Sequence, residues 1–168
     1  MAGGRGTTAV VAGIAGAALG VVVTLMAQQG PDTVEAPAPA APVRQVIRPE
    51  VAPNTGLPYS SGILAGDTLY ISGHLGRDPV TSQLVAGGIE AETRRSLDNI
   101  GEVLKTAGMS FGDVTTVTVF ITSFDEFAAF NTVYREYFPT DPPARATVQV
   151  AALNTGARVE LQMIAVRR

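Results

Sequence analysis

Residues 113–150 read DVTTVTVFITSFDEFAAFNTVYREYFPTDPPARATVQV, and this stretch decides the fold. Its first part, residues 113–122, is rich in Val, Thr, Phe and Ile, which fit the pleated surface of a strand. Ser123 and Glu126 then have the spacing of a capping box, in which Ser123 is the N-cap and Glu126 reaches back to it. A helix is therefore predicted to follow this strand directly and to run to about Phe138.

The end of the same stretch predicts a second strand. Pro142 and Pro143 interrupt the helical pattern, and apolar and polar side chains then alternate strictly as far as Val150. Such alternation is typical of a half-buried strand, and it places three polar side chains on one face: Arg145, Thr147 and Gln149. Arg145 faces either water or an anionic ligand, and the alternation alone does not decide between them.

Three more elements are predicted upstream of this stretch. Residues 59–64 and 68–72 are strand candidates separated by an Ala-Gly-Asp turn, so they should form a hairpin. Residues 74–88 are predicted to form a loop, because Gly, Asp and Pro interrupt any regular pattern there. Residues 89–107 carry apolar side chains at helical spacing, and Gly108 is a natural C-terminal cap for that helix.

A last strand is predicted at 157–166, after a turn at 154–156. The order ββαβαββ predicts an α+β fold, a mixed sheet with two helices on one face. Because the last two strands are joined by a short turn, they are expected to be hairpin neighbours. Their polar side chains would then share the face opposite the helices: Arg145, Thr147, Gln149, Arg158, Glu160 and Gln162.

The first 54 residues are predicted to lie outside the folded domain of residues 55–168. After a short tail at 1–7, residues 8–27 form an uncharged apolar run long enough to span a bilayer as a helix. The run is interpreted as an uncleaved membrane anchor, with a cleaved signal segment as the alternative. Arg5 before the run predicts a cytoplasmic N-terminus and an exported, periplasmic or otherwise extracytoplasmic domain. Residues 28–54 read as an extended Pro/Ala-rich linker.

Composition excludes several classes of function. The net charge is -3 and the sequence pI is about 5.1, which argues against nucleic acid as a partner. The chain has no cysteine and a single histidine, His74. Thiol catalysis and thiolate metal sites are therefore excluded, and a histidine-rich zinc site is not expected. No metal or other cofactor is predicted.

Seven stretches between Leu57 and Arg168 resemble the RidA family of reactive intermediate deaminases, also called the YjgF family. In chain order they are PYSSG, TLYISGHLGRDP, ETRRSLDNIGEVLKTAG, VTTVTVFIT, DEFAAFNTVYREYF, PPARATVQVAAL and VELQMIAV. The resemblance covers nearly the whole predicted domain with compatible spacing. The N-terminal run and the linker lie outside it.

The resemblance implies a chorismate-mutase-like fold and a homotrimer whose sheets line a central barrel, with pockets between adjacent subunits. It also implies hydrolytic deamination of enamines and imines such as 2-aminoacrylate and 2-iminobutanoate. Water adds to the imine carbon, ammonia leaves, and a 2-oxo acid remains. This is the reaction of a 2-iminobutanoate/2-iminopropanoate deaminase, a hydrolase that acts on C–N bonds without a cofactor.

Roles for individual residues follow from the same resemblance. The arginine of the PAR motif, Arg145, would bind the substrate carboxylate bidentately. Glu160 of the last strand would stand near the attacking water, and the phenol of Tyr59 would shape the pocket or hydrogen-bond the substrate. The remaining positions that match the family's substrate-binding residues are Ser72, Gly73, Asn131 and Thr147.

Departures from the family pattern keep other functions open. His74 stands where the family usually has a glutamine, and Asn154 lies in AALNTG, where well-studied deaminases often have ARLPK. A membrane-tethered trimer that binds small carboxylates without turnover is therefore the main alternative. Ribonuclease activity, reported for some members of the family, is the weakest reading because the chain is acidic.

Overall fold

The computed structural model describes residues 43–51 and 56–168. In these residues, six strands and two helices follow one another along the chain, with three short 3-10 turns at 111–113, 124–126 and 154–156. The elements are β1 (Arg44–Ile47), β2 (Gly62–Ala65), β3 (Thr68–Leu75), α1 (Gly88–Thr106), β4 (Val114–Ile121), α2 (Phe127–Tyr137), β5 (Ala144–Gln149) and β6 (Val159–Val166).

The six strands of the described chain form one mixed sheet in the order β1-β2-β3-β6-β4-β5. All neighbouring strands are antiparallel except β4 and β5, which α2 connects as a parallel pair. The predicted α+β class, with a mixed sheet and two helices, is confirmed. The hairpin of β2 and β3 and the helix boundaries at α1 are also confirmed.

The core lies between one face of the sheet and the two helices. Apolar side chains of β3, β4 and β6 pack there against one stripe of each helix. The largest fully buried side chains include Phe130, Leu97, Ile100, Leu161 and Met163. α1 ends as predicted: Gly108 has a φ of 70°, and its amide and that of Met109 donate to the carbonyls of Lys105 and Leu104.

The boundary of the folded domain differs from the expectation. Residues 44–47, which fall in the predicted linker, form the edge strand β1 and pair with the whole of β2. Ile47 is only 2% exposed and belongs to the core. The sequence did not predict this strand, because the Val-Arg-Gln-Val-Ile run is short and prolines lie on either side of it. The apolar run at 8–27 lies outside the described residues.

The predicted pairing of the last two strands is wrong. β4 lies between β5 and β6, so these strands do not touch along their length. The turn at 154–156 exists, but the chain around it crosses over β4 rather than closing a hairpin. A short connection between two strands predicts a hairpin only when no third strand lies between them in the sheet. Here β5 pairs in parallel with the strand that precedes it across α2.

This sheet order also corrects the predicted polar face. Arg145 pairs in register with Val117, which is fully buried beneath the helices, so the Arg145 side chain lies on the helix side. Glu160 pairs with Phe120 and alternates with the buried Val159 and Leu161, so it lies on the opposite side. The two groups of polar side chains therefore face away from each other within one chain.

Two polar contacts near β6 also differ from the expectation. Ser123 does cap the turn at 124–126, since its hydroxyl accepts from the Asp125 amide. Glu126, however, forms an ion pair with Arg158 instead of completing the capping box. Arg158 also approaches the buried Glu92, whose carboxylate accepts from the Arg158 amide at 2.8 Å. Arg158 is thus paired with acids and takes no part in an open polar face.

In the part of the chain that the structure describes, neither helix has the length and apolar character needed to cross a membrane.

Candidate functional site

One polar cluster surrounds Glu160 at the C-terminal end of β3, past the residues that pair with β2. We call it the Glu160 cluster. Its members line a single cavity together with part of α1 and the loop after β3. They are Tyr59, Ser72, Gly73, His74 and Glu160.

A β-bulge in β3 brings Gly73 directly beneath Glu160. The register between β3 and β6 shifts between Ile71 and His74, so Ser72 and Gly73 are left outside the regular ladder. A Cβ added at Gly73 would lie 1.8 Å from Oε1 of Glu160. Only glycine leaves room for the carboxylate in this position, which gives Gly73 a structural reason in this chain.

Hydrogen bonds hold this bulge on both sides. The Ser72 amide donates to the Ser61 carbonyl at 3.0 Å, and its hydroxyl donates to the Ser60 carbonyl at 2.7 Å. The Ser72 carbonyl is 2.7 Å from Nδ1 of His74. These bonds also fix the segment that carries Tyr59, so the phenol and the bulge belong to one connected unit.

The environment of His74 favours its neutral form. Burial lowers the pKa of the imidazole, and the hydrogen bond to the Ser72 carbonyl only partly opposes that effect. At neutral pH the ring is therefore uncharged. With Nδ1 facing a carbonyl, the proton of the neutral ring must be on Nδ1, because a carbonyl oxygen only accepts.

Replacing Gly73 with alanine should displace the Glu160 carboxylate and lower kcat about a hundredfold, the effect of misplacing a reacting group by about 1 Å. Steady-state kinetics of imine hydrolysis, the reaction that the sequence resemblance implies, measure this change. The matched control is Gly112→Ala, where the added Cβ would meet only the Ser110 hydroxyl at 3.4 Å. If Gly73→Ala kept the activity of the Gly112→Ala control, the packing of Glu160 on Gly73 would have no catalytic importance.

Arg77 ties together two loops at the rim of the same cavity. Its guanidinium donates to the Ser82 carbonyl and to the Thr155 hydroxyl, both at 2.7 Å. Ser82 and Thr155 have φ values of 61° and 58°, in the left-handed region that residues with a Cβ seldom adopt. Asn154, next to Thr155, lines the cavity. Arg77 therefore stabilises a rim whose backbone is locally strained.

A second polar cluster surrounds Arg145 beside α2. We call it the Arg145 cluster. Cζ of Arg145 lies 4.6 Å from the ring centroid of Tyr134, and the rings of Phe130 and Phe127 are 5.5 and 5.6 Å away. Such contacts stabilise a guanidinium over aromatic faces. The cavity in front of it has a volume of about 410 Å³, which suits a small ligand. It is lined by Asn131, Tyr134, Arg135, Phe138, Pro142, Pro143 and Arg145.

Arg145 has a charge that the described chain does not neutralise. Arg94 pairs with Glu136, and Arg158 pairs with Glu126 and Glu92, but no described carboxylate forms an ion pair with Arg145. Burial raises the pKa of Tyr134 to about 12, so this phenol beneath the guanidinium is neutral and offers no counter-charge. An unpaired guanidinium that faces a small cavity has the donors needed to bind a carboxylate through two parallel hydrogen bonds.

The structure thus divides the predicted site residues into two groups. Tyr59, Ser72, Gly73 and Glu160 meet in the Glu160 cluster. Arg145 and Asn131 meet in the Arg145 cluster. Thr147 follows Arg145 by two positions on β5, half-buried on the same face, and is not among the residues that line either described cavity. The substrate role of Thr147 stays a prediction.

Two features of the site were not predicted. The stripe Phe127, Tyr134 and Phe138 of α2 was given no part in the site, but Phe127 and Tyr134 contact the Arg145 guanidinium. The sequence contained one indication of this contact: the aromatic residues recur at helical spacing, and the arginine lies on the strand that follows the helix. The sequence placed His74 in a loop, whereas it lies on β3 next to the bulge.

Among the described residues, no group of three or more acidic or histidine side chains is arranged to hold a metal ion.

The described residues form an α+β fold with an unpaired arginine at one cavity and a glutamate at another. A family model described as Endoribonuclease L-PSP matches residues 49–167. The chain therefore belongs to that family, the family of the RidA and YjgF proteins.

Individual relatives agree with this assignment. A goat 2-iminobutanoate/2-iminopropanoate deaminase is 48% identical over 125 residues, which are 74% of this chain and 91% of the goat protein. The crystal structure of RidA from an Antarctic Psychrobacter is similar with a TM-score of 0.69 at 38% identity, over 73% of this chain and 98% of that one. E. coli TdcF with bound serine gives 0.70 at 35% identity, over 74% and 99%.

Proposed function

We propose that the chain hydrolyses reactive enamines and imines of small 2-oxo acids, such as 2-aminoacrylate and 2-iminobutanoate, to the 2-oxo acid and ammonia. The observation that carries this function is the unpaired guanidinium of Arg145 in front of a small cavity. Every substrate of this class has a carboxylate next to the reacting carbon. The curated goat relative is a deaminase of this class, and the E. coli structure holds serine, an amino acid of similar size.

The residues divide the chemistry between binding and proton transfer. Arg145 binds the substrate carboxylate through two parallel hydrogen bonds, and Asn131 beside it offers an amide to the same ligand. A carboxylate oxygen of Glu160 accepts a proton from water as the water oxygen attacks the imine carbon. That proton passes to the nitrogen and gives a carbinolamine. Glu160 then takes the proton of the carbinolamine hydroxyl and passes it to the nitrogen as the C–N bond breaks, so that ammonia leaves and the oxygen stays on the carbon as a carbonyl.

The test is hydrolysis of an imine generated in place. 2-Aminoacrylate is released from serine by a dehydratase, and the full-length chain is added while formation of the 2-oxo acid and free ammonia is followed. We expect the chain to accelerate both above the spontaneous rate. No acceleration by a correctly folded preparation would contradict the proposed activity.

We propose that a complete site forms between two copies of the chain, as part of a homotrimer. Within one chain, Arg145 and Glu160 lie on opposite sides of the sheet, so neither cavity alone contains both groups. The sheet face away from the helices also exposes large apolar side chains, namely Tyr70 (50%), Val148 (47%) and Val166 (38%). An apolar sheet face of this kind supports association with further copies.

The trimer predicts a specific mass in solution and its loss on mutation. Sedimentation or light scattering should give three times the mass of the chain. Val148→Lys, on the exposed face of β5, should shift the mass towards the monomer, since a buried charge without a partner opposes association. A wild-type protein that sediments as a monomer while hydrolysing imines would contradict the proposed assembly.

A non-catalytic carboxylate-binding module is the second candidate. Two observations favour it: a histidine occupies position 74 next to the bulge, and Asn154 lines the rim of the Glu160 cavity. This candidate predicts saturable binding of 2-oxobutanoate, measured by calorimetry, without any imine hydrolysis. A ribonuclease is not favoured, because the chain is acidic and its only histidine is half-buried and bonded to a backbone carbonyl.

We further propose that residues 8–27 carry the domain outside the cytoplasmic membrane, as an anchor or as a signal segment. The support is the uncharged apolar run itself, with Arg5 before it and acidic residues after it. Fractionation of cells that express the full chain, followed by protease treatment of intact spheroplasts, tests this location. A domain that stays protected in the soluble cytoplasmic fraction would contradict it.

A further inference from the structure

His74 is a half-buried polar residue at the Glu160 cavity that the proposed chemistry does not use. It is the only histidine of the chain, and it lies on β3 immediately after Gly73. In the ladder it pairs with Leu161, next to Glu160. Its own carbonyl accepts a hydrogen bond from the Ser96 hydroxyl of α1 at 2.7 Å, so its backbone is fixed to the helix layer.

The ring of His74 closes a hydrogen-bonded loop around the bulge. Nδ1 lies 2.7 Å from the carbonyl of Ser72, two positions earlier in the chain. That carbonyl belongs to the bulged pair and lies outside the regular ladder with β6. The amide and hydroxyl of Ser72 are bonded to Ser61 and Ser60. Without the His74 ring, the Ser72 carbonyl loses this hydrogen bond.

The position of the bulge determines the position of the Glu160 carboxylate. The space above Gly73 is so small that a Cβ there would overlap Oε1 of Glu160. A rotation of the Ser72–Gly73 peptide would therefore change the surface on which the carboxylate rests. The His74 ring contacts the bulge, and the bulge contacts the Glu160 carboxylate. A shift of the ring would therefore be transmitted through Ser72 and Gly73 to Glu160.

We propose that His74 is a positioning residue: its Nδ1–H bond to the Ser72 carbonyl holds the β3 bulge, and through Gly73 it fixes the Glu160 carboxylate for attack by water. The kinetic consequence of this inference rests on the proposed deaminase function. Because Glu160 acts on water while Arg145 binds the substrate carboxylate, loss of the His74 bond should lower kcat and leave KM nearly unchanged.

Two substitutions in the full-length chain separate the hydrogen bond from the bulk of the ring. His74→Phe keeps a ring of similar size and removes the donor, while His74→Gln keeps an N–H donor on a flexible side chain. We expect His74→Phe to lower kcat about tenfold with a change in KM below about twofold, and His74→Gln to restore kcat to within about threefold of wild type.

Three kinetic outcomes would overturn the proposal. The first is a wild-type kcat in His74→Phe, which would show that the bond is dispensable. The second is a kcat in a folded His74→Gln protein as low as that of His74→Phe, which would assign the role to the imidazole itself. The third is a raised KM with unchanged kcat in His74→Phe, which would mean that the ring contacts substrate.

A spectroscopic measurement tests the same geometry without kinetics. Because the chain has one histidine, ¹⁵N labelling of that residue gives a single pair of ring signals in the full-length protein. We expect a neutral ring with its proton on Nδ1 at pH 7. A ring protonated on Nε2 alone, or a charged ring, would overturn the proposal. This readout decides the matter if His74→Phe fails to fold, and also if the wild-type chain proves inactive, in which case only the proposed function fails.

Discussion

Arg145→Ala is expected to lower kcat/KM for 2-aminoacrylate hydrolysis about a hundredfold or more. The guanidinium faces the cavity without a described carboxylate partner, so its charge is available to the substrate. Removing one member of a hydrogen-bonded charge pair at a binding site costs about 2–5 kcal/mol, and about 1.4 kcal/mol corresponds to a factor of ten. The side chain is exposed, so the free energy of unfolding should change by no more than about 1 kcal/mol, the size of an exposed cation–π contact.

Two further variants make the Arg145 result specific. Arg145→Lys keeps the charge but presents no planar fork, so it should recover only part of the activity. Arg94→Ala removes an arginine from an exposed ion pair with Glu136 and should leave the kinetics unchanged. If Arg145→Ala had the same kcat/KM as Arg94→Ala, Arg145 would not bind the substrate.

Glu160→Gln is expected to lower kcat about a hundredfold or more while KM changes little. The amide has the shape of the carboxylate and still fits over Gly73, but it cannot accept a proton from water. Proton transfer by a positioned side chain typically contributes about 10²–10⁴-fold to the rate. Stopped-flow measurement of imine consumption under saturating substrate gives kcat without interference from the spontaneous reaction.

The control for Glu160 is Glu90→Gln, an exposed acid in the first turn of α1 that lies in neither cluster. This variant should keep the wild-type kcat. A Glu160→Gln protein with wild-type kcat would remove Glu160 from the mechanism, and the attacking water would then have to be activated by another group.

Local patterns predicted most of the elements because each was governed by its own residues. The strand at 113–122, the turn that Ser123 caps before α2 and the helix ended by Gly108 all follow from propensity and capping within one segment. β1 was missed because its stability comes from pairing with β2 and from burial of Ile47, which are tertiary effects. The order of strands was also missed, since the preference of β5 for β4 depends on the α2 crossover.

The candidate site was predictable as a set of residues but not as an arrangement. The family motifs pointed to Arg145, Asn131, Gly73 and Glu160, and the structure assigns each of them to a cavity. Alternation along β5 and β6 could not show that Arg145 and Glu160 face opposite sides, because that relation depends on which strand lies between them. The role of His74 depends on a bulge, which alternation does not reveal.

The most direct test of the central claim is complementation between two inactive chains. Arg145→Ala and Glu160→Gln proteins are co-expressed with different tags, and assemblies that contain both are purified and assayed for 2-aminoacrylate hydrolysis. If each site takes Arg145 from one copy and Glu160 from its neighbour in a trimer, every mixed trimer has one intact site, so activity should return at about a third of the sites. Mixed assemblies that stay as inactive as the parent variants would contradict a shared site.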